Sequence, residues 1–384
     1  MAQKRWLHRL GTGILTAGVG LAALGAARVT GTPDLATSLI VAGSIITDPA
    51  AAVSAAGSMM QQVPAVQTDA QPVEEVQTPQ PTPVPDEAEQ SGQEQPQPTE
   101  PPQQTEPPQE AEPTTEKPEN AGQIVEQHYN QGQGGIYVSC GAGTIKNVTS
   151  LSSAEITEAI SAGMPFAIEV GSSEPQVLIM HTHTTETFEL EERDWYDLAS
   201  TARSTDLSVN MAAVGQQIAE QLNAAGIVTL HDTTLHDYPS YNGSYERSNA
   251  TVQSYLQQYP SIKVVLDVHR DAIEPQSGQR VSAIADINGQ KAAQVMIICG
   301  ADKNGNLPNF KNNLAFAAAW QNAMESRFPG LTRPVLFDYR YYNQDLTTGS
   351  LLIEIGSHGN TLAQAIYSGQ LVGQALVGLF TQGA

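Results

Sequence analysis

Three short stretches of this chain carry side chains suited to metal-assisted hydrolysis. The first is His181-Thr182-His183-Thr184-Thr185-Glu186 and the second is His269-Arg270-Asp271. The third is Glu354, set in the apolar run 350–355 and followed by Gly356 and His358. Imidazole and carboxylate are the N/O ligands of a catalytic zinc, which takes three protein ligands and keeps a fourth position for water. An acid inside an apolar strand is expensive unless paired or metal-bound. Glu354 therefore needs a partner, either a cation such as Arg270 or Arg247 or a metal site. Taken singly, each stretch has a plainer reading. His-x-His arises by chance. Asp206 and Asn210 suit the first turn of a helix, where an acid meets the positive end of the dipole. His-Arg-Asp resembles a kinase catalytic loop, but the sequence has no Gly-rich phosphate loop, VAIK-like lysine or DFG. The conjunction of the three stretches is what points to a metal site.

The elements that must position these residues alternate between strand and helix. Residues 176–180 form a short apolar run after Pro175, a buried strand that leads straight into His181. Leu207, Met211, Val214, Ile218 and Leu222 recur at helical spacing, with Ser204 or Thr205 as the cap and Gly226 as the stop. Residues 227–230 make the next strand. Val252, Tyr255, Leu256 and Tyr259 mark a helix ended by Pro260. Strands follow at 262–268, 294–299 and 350–355, and helices at 314–328 and 361–379. A strand at 136–138 and a short helix at 153–163 precede them. This order predicts an α/β domain over 122–384, with a mostly parallel sheet and helices on both faces. In such sheets ligands collect where strands end, and the three stretches stand at such ends. Tyr238, Tyr241, Tyr245, Tyr341 and Tyr342 suit stacking on a sugar or plain packing. Asn343 and Asp345 shape a groove or make a turn.

The rest of the chain is of a different kind. Lys4, Arg5, His8 and Arg9 precede an uncharged stretch, 10–27, near the lower length limit of a membrane helix. Residues 1–34 are expected to anchor the chain in the membrane, or to be a cleaved signal that leaves it secreted. The four cations stay in the cytoplasm and the remainder is exported. Residues 35–63 are an apolar, small-residue connector. Residues 64–121 are rich in Pro, Glu and Gln. They hold thirteen Asp or Glu against one Lys, so they predict a disordered, extended linker. The net charge of −22 argues against nucleic-acid partners, which need Lys and Arg to meet phosphate. Two cysteines, Cys140 and Cys299, exclude a disulfide scaffold and are expected to be separate buried thiols.

The residues 177–188, 226–232, 240–248, 265–272, 342–346 and 351–361, in that order, resemble stage II sporulation protein P over roughly 175–380. The anchor and linker are similar as well. The resemblance implies an amidase-like α/β fold related to zinc-dependent N-acetylmuramoyl-L-alanine amidases. It implies degradation of peptidoglycan during forespore engulfment, by amidase and also cross-link endopeptidase action. Stage II sporulation proteins D and M are the implied partners. Carried over by residue, it puts Zn2+ on His183, Glu186 and His269, with Asp206 as the alternative to Glu186 and His181 as a further candidate. It makes Glu354 the general base, in a pattern with Gly356 and Asn360. Arg270 is expected either to pair with Glu354 or to contact a substrate carboxylate. The rival reading is a non-catalytic wall-binding or scaffold protein.

Overall fold

In the computed structural model, residues 116–381 are described. The expected anchor and connector lie outside them, as does the linker before residue 116. The strands are β1 (Gly122–Gln127), β2 (Tyr137–Cys140), β3 (Gly143–Asn147), β4 (Val177–Met180), β5 (Trp195–Tyr196), β6 (Thr229–His231), β7 (Val264–Asp271), β8 (Gln279–Ile287), β9 (Gln290–Ala293), β10 (Val295–Gly300), β11 (Val335–Asp338) and β12 (Gly349–Ser357). The helices are α1 (Ser153–Ser161), α2 (Met211–Ala224), α3 (Ser244–Gln258), α4 (Phe310–Arg327) and α5 (Leu362–Thr381). No helix among the described residues is long and apolar enough to cross a membrane.

Eight strands pair in the order β2-β3-β11-β10-β12-β7-β4-β6. The pairs β3–β11, β11–β10, β12–β7, β7–β4 and β4–β6 are parallel, while β2–β3 and β10–β12 are antiparallel. The sheet is thus mostly parallel, as the strand–helix alternation predicts, with one reversal near its centre. Every side chain of β4 is buried, and alternate residues point to opposite faces. Val177 and Ile179 join a large core with Val264, Leu266, Ile353 and residues of α1, α2, α4 and α5. Leu178, Met180 and Val265 join a smaller core with Val252 of α3. Helices therefore cover both faces. Burying each such aliphatic side chain stabilises the fold by about 1.5–3 kcal/mol.

Three sequence expectations need correction. The helix expected from Leu207 begins at Met211, because Asn210 caps it by accepting from Ala212 N at 3.0 Å. Ser204 Oγ instead closes a turn by accepting from Asp206 N, and Leu207 is 42% exposed. The strand expected at 262–268 runs on to Asp271, since β12 lies beside it with Glu354 opposite His269 and Ser357 opposite Asp271. His269 and Arg270 are therefore strand residues rather than loop residues. Finally, β5, β1, β8 and β9 form a separate four-stranded sheet that the apolar pattern does not signal. Its strands are short or mixed, with burial that does not follow a clean alternation. The two cysteines are free and buried, as expected.

Candidate active site

The alternation of β7 and β12 decides which side chains meet. Val264, Leu266 and Val268 face the large core, so Asp267 and His269 face the other way. Leu351, Ile353 and Ile355 likewise leave Glu354 on the far face, beside His269 in the adjacent parallel strand. At Gly356 the chain bulges with φ +64°. A Cβ there would stand 2.8 Å from both Ala293 Cβ and Asn360 Oδ1. Asn360 fastens this turn, accepting from Ser357 N at 2.9 Å and Ala283 N at 3.1 Å. Its place in the pattern with Glu354 is structural.

His183 follows β4 and comes to rest against His269, the ring centroids 5.2 Å apart and nearly perpendicular. Tyr241 stacks on His183 at 4.5 Å, and Tyr245 meets it edge-on at 5.5 Å. Glu186 Oε2 lies 3.8 Å from His269 Nδ1 and accepts from Arg270 N at 3.3 Å. Arg203 Nη2 stands 3.5 Å from Glu186 Oε1. His183, Glu186, His269 and Glu354 are thus brought to one place. Asp206 is not: it is exposed, and its carboxylate accepts from Ser208 N and Oγ. Nor is His181, which turns to the opposite face. Its Nδ1 meets Val268 O at 2.8 Å and its Nε2 meets His231 Nε2 at 2.9 Å.

Arg270, expected to pair with Glu354 or a substrate, is committed elsewhere. It donates to the carbonyls of Thr187, Ala202 and Asp271. It clasps the segment that carries Glu186, which is a positioning role. Arg247 likewise donates to the carbonyls of His236, Ser240 and Asn242. Asn343 ties its loop to α3 by donating to Tyr245 O at 3.0 Å.

The electrostatics separate the groups. Burial, then the charge of Asp271, pushes the Glu354 carboxyl up to about 8 against the pull of His269. Burial, then His269, lowers His183 to about 4. Burial also opposes the charge on His269, but Asp267 outweighs it, with Glu186 and Glu354 adding, and raises His269 to about 9. Asp267 Oδ1 lies 2.7 Å from His269 Nε2, off the line of a well-directed hydrogen bond, so attraction of charge dominates that contact. Glu354 is only half-buried as a residue, yet its Oε2 is sealed from solvent and has no hydrogen-bond partner. His183 Nδ1 is buried in the same condition.

Among the described residues, no three or more His, Cys, Asp or Glu are drawn closely enough together to make a finished metal site. The donor set nonetheless fits one in chemistry. Two imidazoles and a carboxylate converge, and two of the polar atoms nearby have no protein partner.

Residues 48–377 match the family model of stage II sporulation protein P (SpoIIP). The chain belongs to this family. It is 29% identical over 201 residues to stage II sporulation protein P of Bacillus subtilis (strain 168), across 49% of this chain and 47% of that one. It therefore spans about half the length of the curated relative it matches. Among solved structures it is similar to N-acetylmuramoyl-L-alanine amidase AmiC2 of Nostoc punctiforme, with TM-score 0.33 and 12% identity over 55% of this chain and 97% of that one. It is also similar to the CwlD amidase from Clostridioides difficile in complex with the GerS lipoprotein, with TM-score 0.34 and 13% identity over 53% and 95%.

Sequence reasoning missed three members of this candidate site. Asp267 accepts from Thr182 N at 2.8 Å and Thr182 Oγ1 at 2.7 Å while facing His269. The Asp-x-His spacing within a strand was the available signal, since residues two apart share a face. Asp237 accepts from Arg203 Nη1 and Thr185 Oγ1, each at 2.6 Å, and lies 3.9 Å from His183 Nδ1. Arg203 also lies over the Tyr241 ring at 5.1 Å. Neither Asp237 nor Arg203 has a spacing in the sequence that would reveal it.

Proposed function

We propose that this chain is a sporulation-associated peptidoglycan hydrolase of the N-acetylmuramoyl-L-alanine amidase type. The observation that carries the proposal is the gathering of His183 and Glu186 from the loop after β4, His269 from β7 and Glu354 from β12, with the His183 Nδ1 and Glu354 Oε2 atoms left without partners. Membership of the SpoIIP family supports the sporulation setting. The cross-link endopeptidase action, the engulfment role, the membrane tether and partnership with stage II sporulation proteins D and M rest on that membership too.

His183, Glu186 and His269 are the residues that would hold a divalent cation, and their N/O chemistry suits zinc. Bound there, zinc would polarise the scissile carbonyl and make a nearby water more acidic. The chain's own groups do the rest. Asp267 faces the far nitrogen of His269 and fixes its ring, leaving Nδ1 toward Glu186. Arg203 and the backbone N–H of Arg270 hold the Glu186 carboxylate. Glu354 takes the proton of the attacking water and gives it to the leaving amine. Burial and the charge of Asp271 bring its affinity for protons near neutrality, which suits a group that must do both.

The test is Glu354→Gln in the full chain, assayed on purified peptidoglycan with zinc supplied. Hydrolysis should fall by about 10³-fold, within the usual range for an acid–base group, while zinc binding persists. Near-wild-type turnover would remove Glu354 from the chemistry. A wild-type chain that binds peptidoglycan and releases nothing would favour the non-catalytic wall-binding reading.

A further inference from the structure

Tyr245 occupies the first turn of α3, and its backbone is fixed from two sides. Its carbonyl accepts from Asn343 Nδ2 at 3.0 Å and Ser248 Oγ at 3.2 Å. Ser248 in turn bonds Thr182, which bonds Asp267. Its ring is wedged between His183, edge-on at 5.5 Å, and Tyr342, stacked at 5.4 Å. The ring thus stands against His183, which packs on His269, on the face of the sheet where β12 sets Glu354 beside His269. Tyr245 is half-buried, and its hydroxyl makes no hydrogen bond to any described residue and is not sealed from solvent, so it is open to a molecule entering the site. The neighbouring Tyr342 differs, its hydroxyl already accepting from Arg340 Nη1 at 2.7 Å.

We infer that Tyr245 is a further catalytic residue, its hydroxyl donating a hydrogen bond to the scissile carbonyl oxygen of the substrate amide. The inference rests on the hydrolase reading above and assigns that reaction its oxyanion donor. As the water oxygen bonds to the carbonyl carbon, one water proton passes to Glu354 and the π pair moves onto the carbonyl oxygen. The phenol stabilises that charge and keeps its own proton. When the pair returns, the C–N bond breaks, and Glu354 hands the proton to the departing amine. A carboxylic acid and an amine result, with no other reactant. A rigid donor aimed at developing charge acts on the transition state more than on substrate binding.

The experiment compares Tyr245→Phe with wild type in the full chain, using a soluble muropeptide that keeps its lactyl–alanine amide. Phenylalanine preserves the ring contacts and removes only the hydroxyl. The expected result is a fall in kcat of about 10²-fold, the usual cost of losing one oxyanion donor. KM should stay within about twofold, since ground-state binding is untouched, and zinc content and melting temperature should be unchanged. The inference is overturned by a kcat near that of wild type, by a loss confined to KM, or by a loss that tracks a fall in melting temperature or zinc content. A wild-type chain that takes up zinc but releases no product overturns the hydrolase reading itself, and this inference with it. A deficit in Tyr245→Phe alone belongs to the hydroxyl.

Discussion

His181 and His183 stand two residues apart at the end of β4, and they live in opposite surroundings. His181 points behind the sheet toward α2. With Val268 O as an acceptor, its Nδ1 carries the proton, and its Nε2 meets His231 Nε2 at 2.9 Å. Burial, then His231, holds it down to about 3, so the pair stays neutral. The α2 helix makes room with Gly215, where a Cβ would come 2.6 Å from the His181 ring. Both nitrogens of the His181 ring thus have a protein partner within hydrogen-bond distance. His183, in front, has aromatic rings around it, an acid 3.9 Å away and a buried nitrogen with no partner. A side chain whose bonds are complete serves the fold. One left incomplete in a polar, enclosed place serves whatever comes to complete it.

Breaking the front and the back should therefore cost different things. The largest effect belongs to His183→Ala. It should lower hydrolysis by about 10³-fold or more, as loss of a metal ligand or its equivalent does, while the zinc-free chain melts closer to wild type than His181→Ala does. Comparable melting losses in the two variants would erase the contrast. Next comes His181→Ala, which empties a packed site and strands Val268 O. The cost should be about 2–4 kcal/mol, read as a melting temperature lower by roughly 5–12 °C, with zinc uptake retained. Loss of zinc with no loss of stability would reverse the assignment. The smallest effect concerns Glu354 in the zinc-free chain. Its folded-state value, about 8, lies above the ordinary 4.5. The unfolded chain therefore releases this proton first, and stability falls as pH rises between those values. Glu354→Gln should match wild type near pH 5 and melt higher near pH 8. A constant difference across that range would show that the carboxyl is not perturbed.

The front of the molecule was partly legible in the sequence because the chemistry is concentrated. His183, Glu186, His269 and Glu354 sit beside apolar strands whose ends can be read. The α/β class follows from long runs such as Val264–Asp271 and from helical spacing in α2, α3 and α5. What stayed hidden depends on side-chain direction or on short elements. Arg270 looked like a partner for Glu354. One residue of strand alternation turns it away from His269, toward the carbonyls of Thr187 and Ala202. The reversal between β10 and β12 leaves no trace in composition, because both strands are buried runs. Arg203 and Asp237 come from loops, and only the folded chain brings them together.

The most direct measurement is elemental analysis of the full chain after exposure to zinc and removal of the excess, alongside His183→Ala and His181→Ala. The account requires about one zinc per wild-type chain, the stoichiometry of a single mononuclear site, its retention in His181→Ala and its loss in His183→Ala. A wild-type chain that takes up no metal, or one that keeps it when His183 is gone, would contradict the account.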